Sequence, residues 1–411
     1  MTATQKSPLQ GLRVLDLSRV LAGPWCGQIL ADLGAEVIKI ERPLKGDDTR
    51  EWGPPFLKDK AGNETRESAY FLSANRGKRS VTVDITKEAG RDLVRDLARK
   101  CDILIENYKV GDLAGKGLGY DDIAAINPGI IYCSITGFGQ TGPRAQEPGY
   151  DYLAQGMGGF MSITGVADGE PGAGPQRAGL AVADLTTGMY SVIGILAALR
   201  HRDATGRGQR LDMALLDTQV GWLANQAQNY FVGGDVPTRT GSWHPNLAPY
   251  QPFKTSDGYV ILAVGNDLQF GRLCTFLGLA GLIVDARFST NPARVANRIA
   301  LAEALEAATA AKPSEHWLAE LPRAGVPCGA VNTIDKVFTE AQVVHRGMKV
   351  TLDHTAAGPI PVVGLPIKFS ESTIAYELPP PMLGEHNDDV LSRILGLDAA
   401  AIAKLKDAKI I

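Results

Sequence analysis

Short apolar runs rich in β-branched residues alternate with longer amphipathic stretches from Arg13 to Thr136. The pattern predicts strands over Arg13–Leu17, Glu36–Glu41, Ser80–Asp84, Asp102–Glu106 and Gly129–Thr136. Between them, Pro24–Leu33 reads as a helix with proline in its first turn. Lys87–Lys100 reads as a second, with Leu93, Val94, Leu97 and Ala98 in one stripe and Asp96 and Arg99 outside it. Strands alternating with helices predict an α/β fold around a mainly parallel, Rossmann-like sheet, with ligand crevices at the carboxyl ends of its strands. Thr49–Asn75 is polar and irregular and reads as an excursion from that pattern.

Met189–Leu199 carries no charge before Arg200, which predicts a helix buried on most sides. Gln209–Ala214 follows as a strand and Leu215–Phe231 as a helix, and the Gly-, Pro- and Trp-rich segment to Pro249 reads as a loop. Tyr250–Thr255 and Tyr259–Val264 flank the turn Ser256-Asp257-Gly258 as a hairpin. Helices are expected over Leu268–Leu277, Ala293–Ala310 and Ser314–Leu321. Strands return at Lys349–Asp353 and Ile360–Phe369, and a terminal helix follows Pro379-Pro380-Pro381. The expected organisation is a large α/β domain (1–225), a linker (226–249), a smaller α+β domain (250–340) and a return to the large domain (341–411).

Composition narrows the chemistry. With 411 residues, 45% hydrophobic and 21% charged, the chain is an ordinary globular one and long enough for two cores. Its net charge of −3, with both signs interspersed, argues against nucleic acid or an anionic membrane as partner. The apolar runs read as too short and too broken to span a bilayer, and no secretory signal opens the chain. Five scattered cysteines without a CxxC pair suggest neither a disulfide framework nor a thiolate metal site, so a reduced, cytoplasmic setting is expected. The six histidines lack metal-binding spacing, no Walker loop or GxSxG occurs, and the Gly115–Gly119 cluster lacks the GxGxxG spacing, so no metal and no permanently bound cofactor are expected.

What remains is one carboxylate and a basic rim. Asp184 stands immediately before the apolar helix, at or near its N-cap, where free N–H groups and the helix dipole favour an ionised carboxylate. From that segment alone, a structural cap and a nucleophile or base are both open. Arg42, Lys109 and Lys116 lie near expected strand ends, where they could receive a phosphorylated carrier.

Several segments resemble class III CoA-transferases of the CaiB/BaiF type. They include Asp16–Pro24, Asp32–Pro43, Asn75–Ser80, Glu106-Asn107-Tyr108, Cys133–Gly139, Ala183-Asp184 with Gly188, and Pro381–His386. Lys45–Phe56 is similar to the succinyl-CoA:glutarate type within that family. The resemblance implies transfer of CoA from an acyl-CoA donor, succinyl-CoA, to a short dicarboxylic acid such as glutarate. CoA esters are then substrates, and Asp184 passes through mixed anhydrides and an aspartyl-CoA thioester. It further implies CoA contacts at Val20, Leu21, Ala22, Arg42, Val83, Thr86, Asn107, Tyr108 and Lys116, and substrate positioning by Tyr150 and Asp151. By the same resemblance the large domain is built from both termini and two chains interlock as a homodimer.

Two other readings compete. An α-methylacyl-CoA racemase of the same fold pairs its aspartate with a histidine, where this chain has Tyr150. An ordinary tyrosine, with a pKa near 10, is a poor base at neutral pH. A CoA-binding protein without turnover would keep the rim but have no use for Asp184.

Overall fold

The computed structural model describes residues 6–411. The chain divides into two compact units. One comprises the chain up to Phe160 together with Ala178–Ala224 and Gln342–Ile411; the other comprises Met161–Arg177 and Asn225–Ala341. Residues 161–177, expected in the large domain, cluster with the second unit instead. They are rich in Gly and Pro, and beyond Ile163 contain no helix or strand that could pack on the sheet.

The first unit is organised by β1 (Arg13–Asp16), α1 (Ala22–Asp32), β2 (Glu36–Glu41), β3 (Lys78–Thr82), α2 (Glu88–Ala98), β4 (Ile103–Glu106) and β5 (Ile131–Thr136). To these it adds α3 (Asp151–Met157), α4 (Val182–Thr205), β6 (Gln209–Ala214) and α5 (Leu215–Gly221). The six strands form one parallel sheet in the order β3-β2-β1-β4-β5-β6. Both faces are buried, which is why the strands read as near-continuous apolar runs. Val14, Val37, Ile103, Ile105 and Cys133 meet α1 and α4 on one face. Leu15, Ile38, Leu104 and Tyr132 point to the other, against the Leu93–Val94–Leu97 stripe of α2.

Later in the chain, Lys349–His354 and Gly358–Val363 pair as an antiparallel ribbon. The single terminal helix expected after the prolines is two, α6 (Asn387–Leu395) and α7 (Ala399–Asp407), because Gly396 closes α6 in a left-handed turn (φ 69°). Their Val390, Leu391 and Ile402 complete the α2 face of the sheet. Both ends of the chain therefore build the large unit. The second unit has its own antiparallel sheet, with Tyr259–Ala263 between Tyr250–Lys254 and Cys328–Ala330, and its own core around Phe253, Phe270, Leu305 and Trp317. Its expected helix Ala293–Ala310 is interrupted at Asn297, and Leu215–Phe231 is likewise two helices.

Helix α4 corrects two expectations. It buries Val192, Ile195, Ala198 and Leu199, but Met189, Tyr190, Ile193 and Leu196 on the opposite face are exposed in the single chain. Counted from Val182, its 24 residues also have the length and composition to cross a bilayer, although half of its most apolar window is buried against this protein. It approaches α1 closely at Gly188, where a Cβ would stand 2.7 Å from the carbonyl oxygen of Ala22.

Candidate active site

The strand order reverses between β1 and β4, whose onward connections run to opposite sides of the sheet. Such a switch point opens a crevice beyond the carboxyl ends of the two strands. A cavity of about 230 Å³ lies there, lined by Arg19–Ala22 after β1, Asn107–Val110 after β4, and Thr136 and Gly137 at the end of β5. Asp48, the segment Ala145–Asp151, Asp184 and Leu215 complete its wall. The N-terminal ends of α1 and α4 both open on it, each bringing the positive end of a helix dipole to its wall.

Asp184 lies in the first turn of α4 and not at its cap, which is Ala181 and offers no side-chain acceptor. The capping comes from Asp151 at the start of α3. Its Oδ1 accepts the N–H groups of Ala183 (2.8 Å) and Asp184 (3.3 Å), and its Oδ2 accepts from Gln155 Nε2 (2.6 Å). Gln155 is buried and is held in turn by the Ala178 N–H, 2.9 Å from its Oε1. The orphan donors of α4 are thus satisfied by a neighbouring helix, and the carboxylate of Asp184 is left uncommitted. Among the described residues no group donates a hydrogen bond to it.

This changes its electrostatics from the sequence-based expectation. The helix dipole alone would keep Asp184 ionised, but burial, and secondarily the like charge of Asp151, push its pKa up to about 7. The group remains open to the cavity while protein atoms crowd its other sides. Close to neutral pH it is poised between acid and anion, with little solvation to lose before attacking an electrophile.

The residues singled out from sequence distribute unevenly. Val20, Leu21, Ala22, Asn107, Tyr108, Tyr150 and Asp151 share the cavity with Asp184. Tyr150 is 65% exposed, whereas Asp151 has both oxygens engaged by α4 and Gln155, which makes it an anchor for the helix. Arg42 and Val83 line a narrow adjoining crevice that shares Arg19 and Tyr108 with the cavity. Thr86 and Lys116 line neither. Thr86 Oγ1 donates to Asp84 (2.6 Å), and Lys116 pairs with Asp112 one helical turn away (2.5 Å). Lys87, beside Thr86, donates to the carbonyls of Ala408 and Lys409.

Two residues went unrecognised in the sequence. Arg19 borders both cavities, lies over the Tyr108 ring, and shares Asp48 with Arg42 (2.9 and 3.0 Å). Its place directly after β1 was the available signal. Tyr70 falls within the Thr49–Asn75 segment read as an irregular excursion, yet burial and the Asp184, Asp151 and Asp47 carboxylates push its pKa up to about 12, so its hydroxyl stays protonated. Among the described residues no group of three or more His, Cys, Asp or Glu side chains is placed to share a metal ion.

Comparison with known proteins adds a second line of observation. Residues 9–387 match the model of CoA-transferase family III. A succinate–glutarate CoA-transferase of Agrobacterium fabrum is 49% identical over 397 residues, spanning 97% of this chain and 98% of that one. The human succinyl-CoA:glutarate CoA-transferase is 43% identical over 404 residues, 98% of this chain and 90% of its own. Among solved structures, a CaiB/BaiF family protein from Brucella suis superimposes with a TM-score of 0.84 at 50% identity, over 95% of this chain and all of that one.

Proposed function

The chain belongs to CoA-transferase family III, and from that membership we propose that it moves CoA from succinyl-CoA to glutarate through covalent intermediates on Asp184. The observation that carries the chemistry is the uncommitted Asp184 carboxylate, held near its ionisation point in a cavity at the switch of the sheet. Relatives named for succinyl-CoA and glutarate support the choice of substrates.

The steps balance without an external energy source. An Asp184 oxygen attacks the succinyl thioester carbonyl; the C–S bond breaks, and CoA leaves as thiolate from a mixed anhydride. The thiolate then attacks the aspartyl carbonyl of that anhydride, forming an aspartyl-CoA thioester and releasing succinate. Glutarate attacks this thioester, again expelling the thiolate and forming an aspartyl–glutaryl anhydride. Attack of the thiolate on the glutaryl carbonyl yields glutaryl-CoA and regenerates the carboxylate. One thioester is exchanged for another, and each difficult displacement is divided in two. The N-terminal ends of α1 and α4 favour the negative charge that develops at each carbonyl oxygen.

Mass spectrometry of CoA esters after mixing the protein with succinyl-CoA and glutarate tests the reading. Glutaryl-CoA and free succinate should appear in equal amounts. An acceptor one methylene longer than glutarate should lose at most about 200-fold in kcat/KM, the limit set by a single methylene in an apolar pocket. Absence of any new ester with a panel of dicarboxylates overturns it.

The exposed face of α4 supports a homodimer. Met189, Tyr190, Ile193 and Leu196 form an apolar stripe on a helix that carries Asp184, with Ile193 61% exposed. Soluble chains rarely leave such a face uncovered, and a second copy is the proposed cover. Light scattering is expected to give twice the monomer mass for the native chain and the monomer mass for Ile193→Asp. A monomeric native chain contradicts the assembly without touching the chemistry.

A further inference from the structure

Beneath the Arg19–Ala22 wall of the cavity lies a pair of charges that the transfer chemistry does not use. Lys39 on β2 and Asp47 are fully buried and paired, Nζ to Oδ2 at 2.8 Å. Both also grip the loop that follows β1. Lys39 Nζ donates to the carbonyl oxygen of Ser18 (2.9 Å), and Asp47 Oδ1 accepts the N–H of Val20 (3.2 Å). Asp47 is itself fixed: its N–H donates to Glu41 Oε2 (2.9 Å), and its Oδ1 also accepts from Thr49 N (3.0 Å) and Oγ1 (2.8 Å). Burial opposes ionisation of Asp47, but Lys39 and the Thr49 hydrogen bonds outweigh it and hold the carboxyl below its usual range.

The loop needs such holding. Val20 has φ 71°, the left-handed region, where a β-branched side chain collides with its own backbone. A residue held there persists only when its surroundings over-determine it, and such sites cluster at ligand clamps. Asn107 pins the preceding peptide from the other side, accepting from Arg19 N (2.9 Å) and donating to Arg19 O (2.7 Å). The strained residue therefore sits between two fixed anchors, one of which, Asn107, lines the cavity with it while the other is a buried ion pair.

We propose that Asp47, braced by Lys39, is a positioning residue that holds Val20 in its left-handed conformation and so sets the cavity wall against which the acyl-CoA seats. The inference rests on the reading of this cavity as the CoA-ester site. It assigns the buried pair to the affinity for the donor and not to the attack by Asp184.

The test is a double-mutant cycle of Asp47→Asn with Val20→Gly, read by calorimetric binding of CoA and by kcat and KM for succinyl-CoA and glutarate. Glycine adopts φ near 70° without strain and needs no brace. Asp47→Asn is expected to weaken CoA binding and raise KM for succinyl-CoA about tenfold in the native background, and less than about threefold in the Val20→Gly background. KM for glutarate should stay within about twofold throughout. Equal losses in the two backgrounds, or a lower Tm with unchanged CoA affinity, overturn the proposal and leave Asp47 a general stabiliser. If Asp47→Asn unfolds because Lys39 is left unpaired, the Lys39→Met/Asp47→Asn pair, which buries no lone charge, takes its place in the cycle. A native chain that binds no CoA refutes the reading of the site itself, a result distinct from a cycle without coupling.

Discussion

Replacing Asp184 by alanine or asparagine is expected to lower succinyl-CoA:glutarate exchange by about a thousandfold or more, the scale seen when a covalent nucleophile is removed. The fold and CoA binding should survive, because Asp184 caps nothing: the start of α4 is held by Asp151, and the cavity wall comes from the loops after β1, β4 and β5. Intact-mass measurement gives a second readout. The native chain, mixed with succinyl-CoA and no acceptor, should gain a CoA adduct that maps to Asp184 and that hydroxylamine removes; the variants should gain none. Exchange within tenfold of the native rate in Asp184→Ala would leave the nucleophile unassigned.

The same variant should also be more stable above neutral pH. In the unfolded chain Asp184 titrates near 3.8, and in the folded one near 7. Between these values the native state binds the extra proton, so the contribution of this group to stability is complete below the lower value and is lost as pH rises through the upper. Asp184→Asn has no charge to bury. Its Tm should exceed that of the native chain at pH 8, by an amount that narrows as pH falls and closes only below about pH 4, the signature of a site kept unfavourable for the sake of reactivity.

Much of the large unit was legible because a parallel sheet buried on both faces writes itself as β-branched runs; Glu36–Glu41 and Gln209–Ala214 agree with the sequence reading at both ends. Legibility failed where distant partners decide. Lys39, Lys78 and Asp16 lie in β-strands yet are fully buried, each satisfied by groups remote in sequence, and no local pattern reports such pairing. Helix Val182–Thr205 was recognisable, but one sequence cannot say which face another chain covers, so its exposed stripe read as core. Asp184 was legible as a lone carboxylate before an apolar helix. The service of Asp151 as cap for that helix was not, because the two residues are brought together only by the fold. Thr86 and Lys116 engage Asp84 and Asp112 for a related reason: matched positions in sequence do not fix where a flexible side chain finds its nearest partner.

The pH profile should expose the link between the two aspartates. Attack needs the Asp184 anion, so kcat/KM is expected to rise with pH, reach half its plateau at about 7, and stand at roughly one-tenth of the plateau at pH 6. Asp151→Asn removes the neighbouring negative charge that disfavours this anion. The midpoint must then move down, and the variant should keep a larger share of its own plateau at pH 6 than the native chain does. Asparagine retains an amide oxygen to accept the Ala183 and Asp184 N–H groups, so α4 stays seated, although the hydrogen bond from Gln155 Nε2 loses its acceptor. The sign separates this role from two simpler ones. A group that only capped α4 would lower Tm and leave the midpoint in place; a group that bound the acid substrate would raise KM for glutarate and leave the midpoint in place. Only a like charge set beside the nucleophile shifts the profile toward acid. An unmoved midpoint in Asp151→Asn would mean that burial alone holds Asp184 near neutrality and that Asp151 serves the helix only.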